Sequence, residues 1–505
     1  MSPATHRVFG PRTVLLLAVF VIFGACGTTE ATTDGGDADT SRGVGSAVLP
    51  GQTGDENASS SVPETTVDGP DVSVTNGPDV DDSAPPDTDE TTLSGPSVAP
   101  GAAVLAERGF SDFFGLRVGL IANRASVVDG RSVIDILAEA DGFDLVAVFA
   151  PEHGLRADAG AGELVADGVD PVTGLPVYSL YGETRSPTQE SLAGMDVLVH
   201  DLQDVGARFY TYTATMGLAM QAAAEAGIPF VVLDRPNPIG DRAAGSMRAD
   251  DQVSFVSRYP VPALHGMTSG ELAIAIQGEG WLDGLADLDL RVVPMAGWRS
   301  DMRWSDTGLD WTPPSPGLPT AESALTYPAT VLFEATTLSY GRGTDHPFQQ
   351  IGAPWLDSAA LAEALRAADL AGVRFDPVAF TPEADERAAA LQYEGVEVSG
   401  VRVIVTDGSA VDQAAVGVHL LAAVLAQAQA VNDSGANGSA GEDGSADEPA
   451  IQVIDRPEFL ALLTGTTAVG DALAAGVAPA DIVASWSDEL SAFEELRSRY
   501  RLYGP

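Results

Sequence analysis

Val118-Gly-Leu-Ile-Ala122, Leu145-Val-Ala-Val-Phe-Ala150, Val197-Leu-Val-His-Asp-Leu202 and Phe230-Val-Val-Leu233 are four short, nearly continuous apolar runs. Runs of this length without polar alternation are the pattern of strands buried on both faces. Between them, residues 132–140 and 212–226 have the period and length of helices. Strand and helix taken in turn predict an α/β fold, a doubly wound parallel sheet with helices on both faces.

Outward from this block the chain changes character. Pro313-Pro-Ser-Pro-Gly-Leu-Pro319 marks a junction, which divides the folded head into residues 104–312 and a smaller α/β domain at 313–505. A head of this size exceeds one ordinary core. In the second domain, residues 358–370 and 413–427 read as helices, 401–406 as a strand and 479–499 as one capped amphipathic helix. Residues 431–449 are rich in Gly, Ser, Asp and Asn and have no core to offer, so they are expected to form a disordered insertion.

At the other end, Arg7 and Arg12 precede an apolar stretch at residues 13–23 and small residues up to Cys26, the three-part pattern of an export signal over residues 1–26. The stretch is shorter than the roughly 20 apolar residues of a membrane span. Cys26, the only cysteine, comes directly after Gly24-Ala25 as in a bacterial lipobox, and is the expected lipidation site. Ordinary cleavage nearby would instead leave a secreted protein. Residues 27–103 are mostly Thr, Asp, Ser, Gly and Pro, too poor in large apolar side chains to offset their ordering entropy. They read as a disordered acidic tether with a reach of roughly 50 Å. The expected localisation is a membrane-anchored lipoprotein facing the cell envelope.

A formal charge of -46 argues against nucleic acid as a partner, because its phosphates would be repelled. All 26 basic residues are arginine. The absence of lysine removes Schiff-base chemistry and the phosphate-binding lysine of a Walker loop.

In an open parallel sheet, ligands bind outside the carboxyl ends of the strands. Each run here ends in polar residues: Asn123-Arg124, Pro151-Glu152-His153-Gly154, Asp201-Leu202-Gln203-Asp204 and Asp234-Arg235-Pro236-Asn237-Pro238. Asp and Asn in such places also serve as turn residues and helix caps. Four clusters on one edge nevertheless point to a site. Glu152, set between a proline and a His-Gly pair suited to a tight turn, is the expected general acid, with His153 as its hydrogen-bonding partner or a turn residue. Gly206-Ala-Arg208-Phe-Tyr210-Thr-Tyr212 interleaves an arginine with aromatic rings, which suits a sugar, and a guanidinium suits a carboxylate. Tyr340-Gly-Arg342-Gly-Thr-Asp345 resembles a glycine-rich anion loop. No Gly-x-Gly-x-x-Gly comes after the first run, and neither Gly-x-Ser-x-Gly nor His-Glu-x-x-His occurs. His200-Asp201 could supply metal ligands, yet the six histidines are scattered, and neither a metal nor another cofactor is expected.

Taken in order, several motifs form a larger pattern. Pro151-Glu-His-Gly154, Gly174-Leu-Pro-Val-Tyr-Ser-Leu-Tyr-Gly182, Asp201-Leu-Gln-Asp-Val-Gly-Ala-Arg-Phe-Tyr-Thr-Tyr212, Leu233-Asp-Arg-Pro-Asn-Pro238, His265-Gly-Met-Thr268, Gly341-Arg-Gly-Thr344 and Ile482-Val-Ala-Ser-Trp486 resemble the NamZ family of exo-β-N-acetylmuramidases. The resemblance implies a Rossmann-like catalytic domain, a smaller C-terminal α/β domain and a cleft between them. It also implies removal of terminal, non-reducing β-1,4-linked N-acetylmuramic acid from peptidoglycan-derived muropeptides or disaccharides. Glu152 matches the family's prime catalytic candidate. Asp201, Asp204, Arg208, Tyr210, Asp234, Arg235 and Asn237 match its cleft motifs, with Tyr212 and His265 from the same stretches as further substrate-binding candidates. The chain departs from the pattern at Gly317, where Asn is expected, at Ala335 and Thr337 after Glu334, where Gly and Asn are expected, and at His200, where an apolar residue is expected.

Glycoside hydrolysis needs an acid for the leaving oxygen and a second group at the oxocarbenium-like centre. Asp204, Asp201 and Asp234 are open for the second role, as is the sugar's own acetamido group. Arg208 and Arg342 are available for the lactyl carboxylate. Two other functions fit less of the sequence: a non-catalytic wall-binding lipoprotein, and a metal-dependent amidase or deacetylase.

Overall fold

The computed structural model describes residues 98–156, 160, 162–384, 391–434 and 450–505. The export signal with Cys26, the tether as far as residue 97, and residues 435–449 of the expected insertion lie outside the described residues.

Seven strands form the main sheet: β1 (Arg117–Ala122), β2 (Asp144–Ala150), β3 (Gly168–Val169), β4 (Pro176–Ser179), β5 (Val197–Asp201), β6 (Phe230–Leu233) and β7 (Leu290–Val293). Their order is β7-β6-β5-β1-β2-β4-β3, and all neighbours are parallel except β3 beside β4. The chain first builds away from β1 on one side and then returns to its other side. The reversal falls between β1 and β5, which stay paired to their last residues, Ala122 beside Asp201.

Successive side chains along these strands alternate between two cores. Ile121, Phe149, Leu198 and Phe230 join one, and Leu120, Val148, Val199 and Val231 the other. Helices Tyr212–Ala226 and Ser269–Gly278 cover the first face, and Gly101–Glu107 and Val133–Glu139 cover the second. This is the doubly wound α/β arrangement that the four apolar runs predict. Those runs are β1, β2, β5 and β6.

The second half adds a three-stranded antiparallel sheet, Gln350–Ala353, Val398–Val405 and Val373–Phe380 in spatial order. Three expectations shift. Helix Gln413–Ser434 runs past residue 427, because Asn432 exchanges two hydrogen bonds with Ile451 (3.1 and 2.8 Å) and anchors its last turn. The single helix expected over 479–499 is two, Pro479–Ala484 and Ser487–Ser498, with the buried Trp486 at the break. At the start, Ala99 exchanges backbone bonds with Ala296 (2.9 and 3.0 Å) and Gly101–Glu107 is helical, so ordered chain precedes residue 104.

Candidate active site

Pro151 directly succeeds β2 and starts a turn closed by the Gly154 N–H donating to the Pro151 carbonyl (3.0 Å). His153 stands at φ 71°, a left-handed conformation that costs a non-glycine residue of order 1–3 kcal/mol. The turn aims Glu152 inward, where the residue is 6% exposed. Glu152 Oε1 accepts from the Gly162 N–H (2.9 Å) and Oε2 from the Thr211 hydroxyl (2.6 Å). Thr211 is the N-cap residue of Tyr212–Ala226, yet its hydroxyl serves Glu152 rather than the helix amides. The Tyr212 hydroxyl donates to the Pro314 carbonyl (2.6 Å) and accepts from Asn123 Nδ2 (2.7 Å), joining the end of β1 to the Pro-rich junction behind Glu152.

In front of Glu152 lies a cleft of about 370 Å³, a size suited to a small molecule. The first half lines it with Glu152, His153, Tyr181, Phe209, Tyr210 and Thr211. The second half supplies Tyr327, Glu334, Tyr340, Arg342, Phe348, Arg456 and Phe459. Tyr327 meets Phe348 edge-on at 4.9 Å and Tyr210 at 6.0 Å, so the aromatic wall crosses between the halves. Arg185 lies 3.7 Å over the Tyr181 ring and 4.6 Å over Phe255, which braces another part of the wall. Burial, and then the charge of Glu152, push the Tyr181 hydroxyl up to about 12.

Glu334 reaches this cleft from the short turn Val331–Ala335. Burial pushes its carboxyl up to about 7; Arg342 and Arg456 oppose the rise, and the charge of Glu152 adds to it. Two carboxyl groups and two guanidiniums therefore share one aromatic-walled space. Sequence reasoning did not place Glu334, Arg456, Tyr181, Thr211 or Tyr327 there; the aromatic and glycine motifs flanking Glu334 were the available signal.

Residues 118–322 match the family model for the N-terminal part of the exo-β-N-acetylmuramidase NamZ, and residues 325–503 the model for its C-terminal part. The chain belongs to the NamZ family. Over 318 residues, 63% of this chain and 74% of the relative, it is 46% identical to the peptidoglycan β-N-acetylmuramidase NamZ of Bacillus subtilis. Crystal structures of two DUF1343 family proteins from Bacteroides fragilis match with TM-scores of 0.71 and 0.61, at 36% and 29% identity. Each match covers 81% of this chain and 99% of the other.

Several residues in the NamZ motifs serve the scaffold rather than the cleft. Arg235 donates through Nε and Nη2 to the two oxygens of Asp201 (2.5 and 2.9 Å), an ion pair with side chains 4% and 0% exposed. Asp234 accepts from Gly270 N–H, Arg235 N–H and the hydroxyls of Thr268 and Tyr503, all within 3.0 Å, and burial still pushes it up to about 6. Arg208 is not open to a ligand carboxylate. Its guanidinium donates to the carbonyls of Ser246, Val261 and Leu463 (2.8–2.9 Å), and burial, then Arg248, bring it down to about 9. Asn237 donates to the Met267 carbonyl (3.0 Å) and packs so closely on Gly206 that a side chain there would strike it. Burial lowers His265 to about 3, helped by Arg497 and Arg208, and its Nδ1 accepts from the Met267 N–H. His200 is likewise buried and lowered to about 3, packed on Phe230 as a core residue. Of the candidates, Glu152, His153, Tyr210 and Arg342 line the cleft, with Tyr212 behind it. Among the described residues, no group of three or more His, Cys, Asp and Glu side chains is placed to hold a metal ion.

Asp204 accepts from the Gly206 N–H (2.7 Å), while its other oxygen is buried without a partner. Burial pushes it up from 3.8 to about 7, against the Gly206 and Val205 amides. The fold therefore favours the protonated acid, so its contribution is present below pH 4 and is lost as pH rises through about 7. Asp204→Asn is expected to raise the melting temperature relative to wild type at pH 8 and to change it little at pH 4. Equal shifts at both pH values would refute this assignment.

Proposed function

We propose that this protein is an exported exo-β-N-acetylmuramidase that cleaves terminal, non-reducing β-1,4-linked N-acetylmuramic acid from peptidoglycan fragments, with Glu152 protonating the leaving oxygen. The carrying observation is Glu152 at the head of an aromatic cleft with two guanidiniums, in a chain of the NamZ family. Aromatic faces suit a sugar ring, and Glu152 is held by Gly162 and Thr211 at the edge of a rigid sheet. The test is release of the chromophore from a β-N-acetylmuramide by the purified protein; no release near neutral pH sinks the reading.

N-Acetylmuramic acid carries a lactyl carboxylate, which a protein of charge -46 repels at long range. Arg342 and Arg456 supply the local positive charge. Each of Arg342→Met and Arg456→Met is expected to raise KM for the muramide by about 10-fold or more, the scale of one charge-assisted hydrogen bond. The matching N-acetylglucosaminide, which lacks the carboxylate, serves as the control. Equal losses on both sugars would show that the arginines shape the cleft without reading the acid.

The export signal and Cys26 support a membrane-held enzyme on the acidic tether. Mass spectrometry of the mature N-terminus is expected to find lipid on Cys26. An unmodified Cys26, or its loss with the signal, leaves a secreted enzyme with the same chemistry.

A further inference from the structure

We infer that Glu334 is the second catalytic carboxylate of this cleft, the general base that activates the attacking water while Glu152 protonates the leaving oxygen. The inference rests on the glycosidase reading above. Glu152 comes from the turn after β2 and Glu334 from the Val331–Ala335 turn of the other half, and both line the same space. The three aspartates that sequence motifs offer for this role are engaged elsewhere. Asp201 is locked to Arg235, Asp234 accepts four donors, and Asp204 holds the Gly206 amide outside the cleft lining.

The surroundings of Glu334 suit a base. Arg342 and Arg456 favour its carboxylate form, whereas burial and Glu152 favour the acid, and the balance falls at about 7. Direct displacement uses Glu334 as the carboxylate, the form that Arg342 and Arg456 favour, with Glu152 as the acid in the same cleft. The Glu152 proton passes to the glycosidic oxygen, and the C1–O bond breaks with its electron pair on that oxygen. The water oxygen bonds to C1 as its proton passes to Glu334. Exchange with solvent then returns a proton to Glu152 and removes one from Glu334. A β-linked substrate then gives the α-anomer first.

The test compares Glu334→Gln and Glu334→Asp with wild type, using the full-length protein and the chromogenic muramide, with circular dichroism and thermal melts as fold controls. Glu334→Gln is expected to lower kcat by about 10²–10³-fold with KM nearly unchanged, and to remove the acid limb of the kcat/KM profile near pH 7. Glu334→Asp keeps the charge but draws it back, and is expected to lower kcat by about 10-fold or more; it carries the test should the Gln variant fail to fold. Proton NMR of the wild-type reaction is expected to show the α-anomer first. A folded Gln variant with wild-type kcat and pH profile, or a first-formed β-anomer, overturns the assignment of Glu334. A wild type that releases no sugar overturns the glycosidase reading itself.

Discussion

Glu152→Gln is expected to lower kcat by about 10³-fold and to leave the protein folded. The amide has the carboxyl's shape, and its neighbours accept it. Gln Oε1 takes the Gly162 N–H bond, while the Nε2 group donates to Thr211, whose hydroxyl rotates to accept. The proton that the leaving oxygen needs is then missing, which adds about 4 kcal/mol to the barrier. That interaction exists only in the transition state, so KM should hardly move. Steady-state kinetics on the chromogenic muramide, with a melt beside it, measures both. A kcat within tenfold of wild type at an unchanged melting temperature removes Glu152 from the chemistry.

How this cleft forms explains what was legible in the sequence. The four buried strands are short apolar runs whose environment is the same on both faces, so composition alone exposes them. Glu152 was legible for a local reason: Pro151 and Gly154 bound a two-residue turn at a strand's carboxyl end. Glu334, Arg456 and Tyr327 reach the cleft through a packing of segments roughly two to three hundred residues away from Glu152 in the chain. No local period or cap announces such an approach. Arg342 was legible from its flanking glycines; Gly341 stands at φ 80° and a side chain there would strike the His346 carbonyl.

Polar residues at the edge of the sheet misled for a physical reason. The carboxyl ends of β5 and β6 are buried between two cores and the second half of the chain. Buried polar groups there must be satisfied by someone. Asp234 satisfies the Gly270 amide in the first turn of Ser269–Gly278 and fastens Tyr503 near the chain end; Arg208 satisfies three carbonyls, one from the second half. The residue types required are those a ligand site would use, and only their partners tell the two apart. Glu152 instead lines the cleft, which none of Asp201, Asp204 and Asp234 does.

Asp201 gives the sharpest separation of the two roles. A catalytic Asp201 would lose activity on substitution while keeping its stability; the ion pair predicts the reverse. Asp201→Ala is expected to destabilise the protein by about 3–5 kcal/mol, because Arg235 is left charged, buried and without its two acceptors. Arg235 also donates to the Val127 carbonyl (3.3 Å), and Asp201 accepts from the Ser126 hydroxyl through its own backbone, so the damage spreads to the loop after β1. Asp201→Ala with Arg235→Leu should recover much of the loss, since replacing both charges removes the unpaired cation. Denaturant melts of the single and double variants measure the coupling, and kcat of the remaining folded single variant should stay within about tenfold of wild type, the carboxylate making no contact with the cleft. A single variant of wild-type stability with abolished kcat would return Asp201 to the catalytic machinery.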